Sequence, residues 1–365
     1  MVATIGSLVL GLVLLVLGGE FLVRGASRLA TSFGISPLVV GLTVVAFGTS
    51  APEMAVSVQS AWAGQVDIAM GNVVGSNIFN VLFILGVSSL IVPLVVDAQM
   101  IRQEVPIMIG ASALLVALGW DGGISRIEGI ALFVLVIAYT VTLVLQSRRA
   151  TRATQQEYAE ETHIAAASTL IDRLWVQLAL VVLGLVVLVA GSRLLVTGAI
   201  AIATTLGVSE LVIGLTIVAA GTSLPEVAAS VIASIKGQRD IAVGNVVGSN
   251  IFNILGVLGL SATVAPTELA VAPQVLALDL PVMVAVAVAC LPIFFSGHRI
   301  SRWEGLVFLA YYVAYIVYLV LASRADASLQ IYSWVMLGAV LPLTGLTLAV
   351  VLVRAVRERG RRASP

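Results

Sequence analysis

Residues 41–53 read GLTVVAFGTSAPE and residues 64–80 read GQVDIAMGNVVGSNIFN. At a constant offset of 173 the chain repeats itself, as GLTIVAAGTSLPE over 214–226 and GQRDIAVGNVVGSNIFN over 237–253. Aligned without a gap from Gly41 to Gly86 and from Gly214 to Gly259, 31 of 46 positions are identical, and the identities are polar where the surroundings are apolar. Each copy sets a glutamate, Glu53 or Glu226, directly after a proline inside an apolar segment. A carboxylate at mid-membrane costs about 2.5–3.5 kcal/mol on insertion scales, so two in matched contexts point to a cation site built from both halves.

Composition sets the class around this motif. With 60% hydrophobic and 10% charged residues and a mean hydropathy of +1.11, a chain of 365 residues is too apolar for a water-soluble globule. It reads as an all-α integral membrane protein, with the lipid bilayer as its surroundings. A formal net charge of +0, with no basic cluster outside short loops, argues against a nucleic-acid partner. The single cysteine, Cys290, excludes an intramolecular disulfide and a cysteine metal cluster. No GxxxxGK[ST] loop occurs, which disfavours a nucleotide partner and a pump. The opening MVATIGSLVL lacks a basic n-region and reads as the first membrane helix.

Apolar stretches of roughly 20 residues, enough to span a bilayer, fall near 5–23, 37–61, 68–95, 103–120, 125–146, 174–197, 210–235, 241–265, 274–295, 301–322 and 330–353. The polar segment 148–172 separates five spans (residues 1–147) from the next five (173–322), and 323–365 adds an eleventh span and a basic tail, RAVRERGRR. The correspondence extends past the motif: Glu104 and Pro106 recur as Asp279 and Pro281, and Ser125, Arg126 and Glu128 as Ser301, Arg302 and Glu304. An odd number of spans per unit requires the second unit to be inverted. Basic residues after alternate spans (Arg24, Arg28, Arg102, Arg148, Arg149, Arg152, Lys236, Arg239, Arg299 and Arg302) place those loops, the linker and the C-terminal tail in the cytoplasm. The N-terminus then lies outside, in a cell (inner) membrane.

Within the motif, Pro52 and Pro225 lack the amide hydrogen a helix needs, so the second and seventh spans must kink or break there. Carbonyls about one turn back, near Ala46 and Ala219, are expected to lose their donors, which the membrane tolerates only where protein, water or an ion supplies partners. Thr49, Ser50 and Glu53, with Thr222, Ser223 and Glu226, complete an all-oxygen set. Such a set suits Ca²⁺ and Na⁺, and not zinc or copper. The plainer role for the hydroxyls is a bond back to the preceding turn. Asn72, Ser76 and Asn80 fall four apart on one stripe, as do Asn245, Ser249 and Asn253, so amides can face the ion or serve as interhelical hydrogen bonds. Asn77 and Asn250 lie off the stripe, where interhelical bonding is the stronger reading. Gly71 with Gly75, and Gly244 with Gly248, form GxxxG patterns for close helix approach.

Other charges read as structural. Asp67 and Asp240 are expected helix N-caps. Ser125 with Glu128, and Ser301 with Glu304, match the S-x-x-E capping box. Glu104 and Asp279 precede a proline by two residues, a helix-terminus pattern, and Glu20 can pair with Arg24 one turn on.

The doubled GTSAPE/GTSLPE and GNVVGSNIFN motifs resemble the paired α-repeats of the cation/Ca²⁺ exchanger superfamily, nearest its prokaryotic sodium/calcium exchanger branch. The resemblance covers residues 1 to about 322 and implies two inverted five-helix repeats, a ten-helix exchanger core, with cation sites between the second, third, seventh and eighth spans. It implies Ca²⁺ held by Glu53, Glu226, Thr49 and Thr222. Sodium would draw on Glu53, Glu226, Ser50, Ser223, Ser76, Ser249 and the carbonyls of Ala46 and Ala219. Asn72, Asn80, Asn245 and Asn253 would line the site. No cofactor is implied; the transported ions are Ca²⁺ and Na⁺. Some prokaryotic relatives carry aspartate at the position of Asn253, whereas this chain has asparagine in both halves and only two central carboxylates. The implied activity is secondary antiport by alternating access, with the first and sixth spans sliding across the core. A Ca²⁺/H⁺ exchanger would use the same glutamates but usually places glutamate shortly after GNA. A cation channel could present the same oxygens. An enzyme is disfavoured because no nucleophile and base accompany the two acids.

Overall fold

The computed structural model describes residues 2–158, 173–205, 219–323, 326–350 and 353. Residues 159–172 of the linker, 206–218 at the start of the second motif copy, and the basic tail lie outside the described residues. Nine unbroken helices among the described residues are long and apolar enough to cross a bilayer. They are α1 (Thr4–Phe33), α3 (Val66–Ile91), α4 (Met100–Asp121), α5 (Arg126–Arg149), α6 (Leu174–Ile202), α8 (Arg239–Val264), α9 (Val275–Phe295), α10 (Arg302–Ser323) and α11 (Ser328–Val350). The second span, α2, is two helices, Pro37–Thr49 and Ala51–Trp62, bent by 46°. Of the seventh, the described part is a turn at Ala219–Gly221 followed by α7 (Leu224–Ile235).

Helix is the form these runs must take, because hydrocarbon offers backbone amides no outside partner. α8 and most of α3 are buried inside the protein, while α1, α5, α6 and α10 turn broad apolar faces outward. The two helices carrying GNVVGSNIFN are therefore the centre of the bundle. α8 earns its place through glycine: a Cβ on Gly244 would lie 2.9 Å from the Leu38 carbonyl, and one on Gly248 2.7 Å from the Leu42 carbonyl. Among the described residues nothing lies within 4 Å of a Cβ added to Gly71 or Gly75. Their counterpart to Leu38–Leu42 is 211–215, outside the described residues.

α1 and α6 are equivalent by the 173-residue offset, and they pack against each other in opposite directions. Gly11 faces Leu195, Gly18 faces Leu188 and Gly25 faces Val181, with Gly184 and Gly191 of α6 lying against the α1 backbone in return. Two equivalent helices running antiparallel are what an inverted repeat requires. Two short antiparallel ribbons tie the halves together: β1 (Leu94–Val95) pairs with β4 (Arg299–Ile300), and β2 (Gly123–Ile124) with β3 (Leu269–Ala270).

Several helix-end expectations are corrected. α1 continues to Phe33, so Arg24 and Arg28 lie within it rather than in a following loop. The fifth helix runs on to Tyr158, into the segment read as linker. Asp67 and Asp240 are not caps: Gln65 and Gln238 hold those positions, and the acids sit in the first turn, where the helix dipole favours negative charge. The capping boxes form, with Glu128 accepting from the Ser125 amide at 2.8 Å and Glu304 from the Ser301 amide at 2.7 Å. Glu20 pairs with Arg24 at 2.9 Å and also with Lys236 on the seventh span. α11 packs on α10, where Tyr332 donates to the Ala314 carbonyl at 2.7 Å and Tyr311 meets Thr344.

Glu104 and Asp279 cap no amide; each turns inward from a π-helical turn to a tyrosine. Tyr139 donates to Glu104 at 2.8 Å and Tyr315 to Asp279 at 2.7 Å, and Gln99 donates to the other Glu104 oxygen at 2.9 Å. Removing a donor from a buried acid costs about 1–3 kcal/mol. Tyr139→Phe is accordingly expected to lower the melting temperature of the detergent-solubilised protein; an unchanged melt would deny the pair a structural role.

Candidate cation site

The proline breaks place the two glutamates. Pro52 has no amide to offer the Gly48 carbonyl, and the chain turns at Ser50 (φ −79°, ψ 6°) before the helix restarts at Ala51. Ser223 (φ −88°, ψ 5°) makes the same turn before Leu224–Ile235. Glu53 and Glu226 thus each stand in the first turn of a new helix, at its positive end. Both are buried, at 0% and 1% exposure.

The hydroxyls reach across to the opposite repeat. Ser223 Oγ donates to Glu53 Oε1 at 2.8 Å, and Ser50 Oγ donates to Glu226 Oε1 at 3.0 Å. Ser76 Oγ lies 3.2 Å from Ser223 Oγ. Thr49 Oγ1 is 3.1 Å from Asn245 Oδ1 and Thr222 Oγ1 is 3.3 Å from Asn72 Oδ1. Thr49 also makes the plainer bond back along its own helix, 3.1 Å to the Val45 carbonyl. The Asn72 amide donates to Ser57 at 2.9 Å and to the Glu53 carbonyl at 3.2 Å; Asn245 does the same with Ser230 at 2.9 Å and Glu226 at 3.4 Å. These two asparagines fasten the central helices to the glutamate turns.

One expectation fails locally. The Ala46 carbonyl is not orphaned: the Ser50 amide donates to it at 3.0 Å, and Thr49 Oγ1 lies 3.4 Å away. The break falls after Ser50, so the turn just before it keeps its helical bond. Ala219 stands in the equivalent turn before Ser223.

What remains open is a set of oxygens. Glu53 Oε2, Glu226 Oε2, Asn80 Oδ1, Asn253 Oδ1 and Ser249 Oγ are buried and have no hydrogen-bond partner. Buried acceptors left unpaired each cost about 1–3 kcal/mol, and a bound cation satisfies several at once. No group of three or more His, Cys, Asp or Glu side chains gathers among the described residues. The donor set is two carboxylates, amides and hydroxyls, hard oxygens suited to Ca²⁺ or Na⁺. Sequence reasoning missed Ser57 and Ser230, although they are identical across the repeat. Asn77 and Asn250 make the interhelical bonds expected of them, with Asn253 donating to Asn77 at 3.3 Å and Asn80 to Asn250 at 3.1 Å.

The sequence matches the family described as "Sodium/calcium exchanger protein" over residues 3–145 and 176–321. The chain belongs to the sodium/calcium exchanger family. This exchanger is 40% identical over 320 residues to CaxA of Alkalimonas amylolytica, covering 86% of this chain and 98% of that protein. It is 34% identical over 341 residues to the sodium/calcium exchanger MaX1 of Methanosarcina acetivorans, covering 86% and 97%. Its fold matches that of the sodium-calcium exchanger NCX_Mj soaked with Na⁺ and Ca²⁺, with a TM-score of 0.73 and 32% identity over 87% of this chain and 98% of the other. The exchanger is thus a multi-pass membrane protein of the prokaryotic branch of the cation/Ca²⁺ exchanger superfamily, and its relatives are transporters.

Proposed function

We propose that this exchanger moves Ca²⁺ out of the cell in exchange for Na⁺ moving in, by alternating access and without ATP. The crosswise pairing supports this reading most: each carboxylate is held through one oxygen by a serine of the opposite repeat, while its second oxygen is buried and unpaired, as are the Asn80 and Asn253 oxygens. Two carboxylates balance one Ca²⁺ or two Na⁺, so the two loads compete for one negative pocket, and exclusive occupancy couples them. Glu53, Glu226, Thr49 and Thr222 hold Ca²⁺ in this reading; Ser50, Ser223, Ser76, Ser249 and the carbonyls of Ala46 and Ala219 join the glutamates for Na⁺. A third Na⁺ would carry net charge through the membrane, worth about 2.3 kcal/mol per charge per 100 mV.

Residues 1–147 and 173–322 act as the two inverted halves, with 148–172 as a cytoplasmic linker and the N-terminus outside. α1 and α6, which touch each other along glycine-lined faces, slide over the site-bearing helices to expose it alternately. The test is radiolabelled Ca²⁺ uptake into proteoliposomes loaded with Na⁺, compared with K⁺ loading and with an imposed pH gradient. Uptake that follows the Na⁺ gradient is expected. Uptake driven by the pH gradient and indifferent to Na⁺ would replace Na⁺ by H⁺ as the counter-ion.

A further inference from the structure

We infer that Met108 and Met283, which lie outside the cation site, determine which face of the central amides the ion meets, by polarising two hydrogen-bond relays that end on Asn80 and Asn253. The inference rests on the cation site proposed above. In one relay the Asn250 amide nitrogen lies 3.4 Å from Met108 Sδ, the Asn250 oxygen accepts from Asn80 Nδ2 at 3.1 Å, and Asn80 Oδ1 is left unpaired. In the other the Asn77 nitrogen lies 3.5 Å from Met283 Sδ, the Asn77 oxygen accepts from Asn253 Nδ2 at 3.3 Å, and Asn253 Oδ1 is left unpaired. All six side chains are buried, none more than 3% exposed.

The logic is one of donors and acceptors. A primary amide turned over exchanges its oxygen for its NH₂, and a bare pair of asparagines bonds equally well in either sense. In one sense Asn80 shows the site an oxygen, and in the other an NH₂, which repels a cation. A thioether carries no hydrogen and can only accept. With Met108 behind it, Asn250 must aim its NH₂ at the sulfur, because the reverse would set two lone pairs against each other. The Asn250 oxygen then faces Asn80, and the Asn80 oxygen faces the ion. Met283 imposes the same order on Asn77 and Asn253. Met108 and Met283 sit on α4 and α9, at corresponding places after Pro106 and Pro281, so each relay crosses from one half of the protein to the other. They are positioning residues, and they let a chain without a third central carboxylate present only oxygens at the middle of its site.

Leucine replaces methionine at similar volume and removes the acceptor, so Met108→Leu and Met283→Leu should fold. Each is expected to raise the half-saturating Ca²⁺ concentration for exchange about fivefold, the worth of one net hydrogen bond, with the maximal rate little changed. The decisive arm is Asn80→Asp, because a carboxylate presents an oxygen whichever way it turns. In that background Met108→Leu is expected to give no rise in the half-saturating concentration, because Asn250 must now turn its NH₂ to the carboxylate and the sulfur only opposes that turn. Unchanged saturation in Met108→Leu, or an equal shift with and without Asn80→Asp, would overturn the relay and leave Met108 a packing residue. If the unmodified protein shows no cation-dependent flux, the proposed function fails and the relay is read directly. Side-chain amide resonances of labelled asparagine should then move at both Asn250 and Asn80 in Met108→Leu, and an unmoved Asn80 would refute it.

Discussion

Glu53→Gln is expected to abolish Ca²⁺ exchange while leaving the protein folded, and Glu226→Gln to do the same. Glutamine keeps the shape and keeps an oxygen for the serine hydroxyl that now donates to Oε1, Ser223 for Glu53 and Ser50 for Glu226. What is lost is one of the two charges facing the ion. A unit charge pair at 4 Å contributes about 4 kcal/mol at an effective dielectric of about 20, and a divalent ion doubles it. Even after half of that is set against desolvation, about 4 kcal/mol remains, equivalent to about 1000-fold in Ca²⁺ affinity. The check is paired: Ca²⁺ flux in proteoliposomes, and the rise in melting temperature that Ca²⁺ gives the unmodified protein. Both should vanish in each variant while the melt without Ca²⁺ stays cooperative. Normal flux in either variant would remove that glutamate from the site.

Gly248→Val should disable the exchanger through packing. A Cβ at this position would lie 2.7 Å from the Leu42 carbonyl oxygen, 2.8 Å from its Cα and 2.9 Å from the Ala46 Cβ. Backbone atoms cannot rotate aside, so α8 or the first piece of α2 must move. Overpacking of ordinary cores costs about 1–3 kcal/mol, and here the displaced segment also carries Thr49 and Ser50 against Asn245 and Glu226. Lower melting temperature and loss of flux are expected together. Gly110→Ala on α4 is the contrast, since nothing lies within 4 Å of its added Cβ. It should leave flux intact and stabilise by up to about 1 kcal/mol through helix propensity. Equal tolerance of both substitutions would show that α8 does not depend on the close approach at Gly248.

Much of this architecture is legible in the chain because a bilayer leaves few choices. A long apolar run must be helical and about one membrane thick, so all the nine unbroken spans fall on expected stretches. Pro52 marks the break because its chemistry is local, and the capping boxes form for the same reason. Local chemistry also misleads: Ala46 stays bonded to the Ser50 amide because the carbonyl that Pro52 leaves without a donor is that of Gly48, two residues further on. Asp67 and Asp240 slip from cap to first turn on the same difference of two residues.

The order of residues carries the membrane class, the doubled motif, the two glutamates with their hydroxyl and amide company, and, through an odd count of spans, the inversion. Which residues face each other is set by the packing of the helices. A helical stripe reports which residues share one face, and it is silent about the face opposite. Glu53 therefore meets Ser223 rather than Ser50, Asn80 meets Asn250, and Asn250 ends on Met108, a contact between residues 142 apart in the chain. The two-fold relation between the halves makes these partners, because residues that repeat in sequence exchange places across the axis in space.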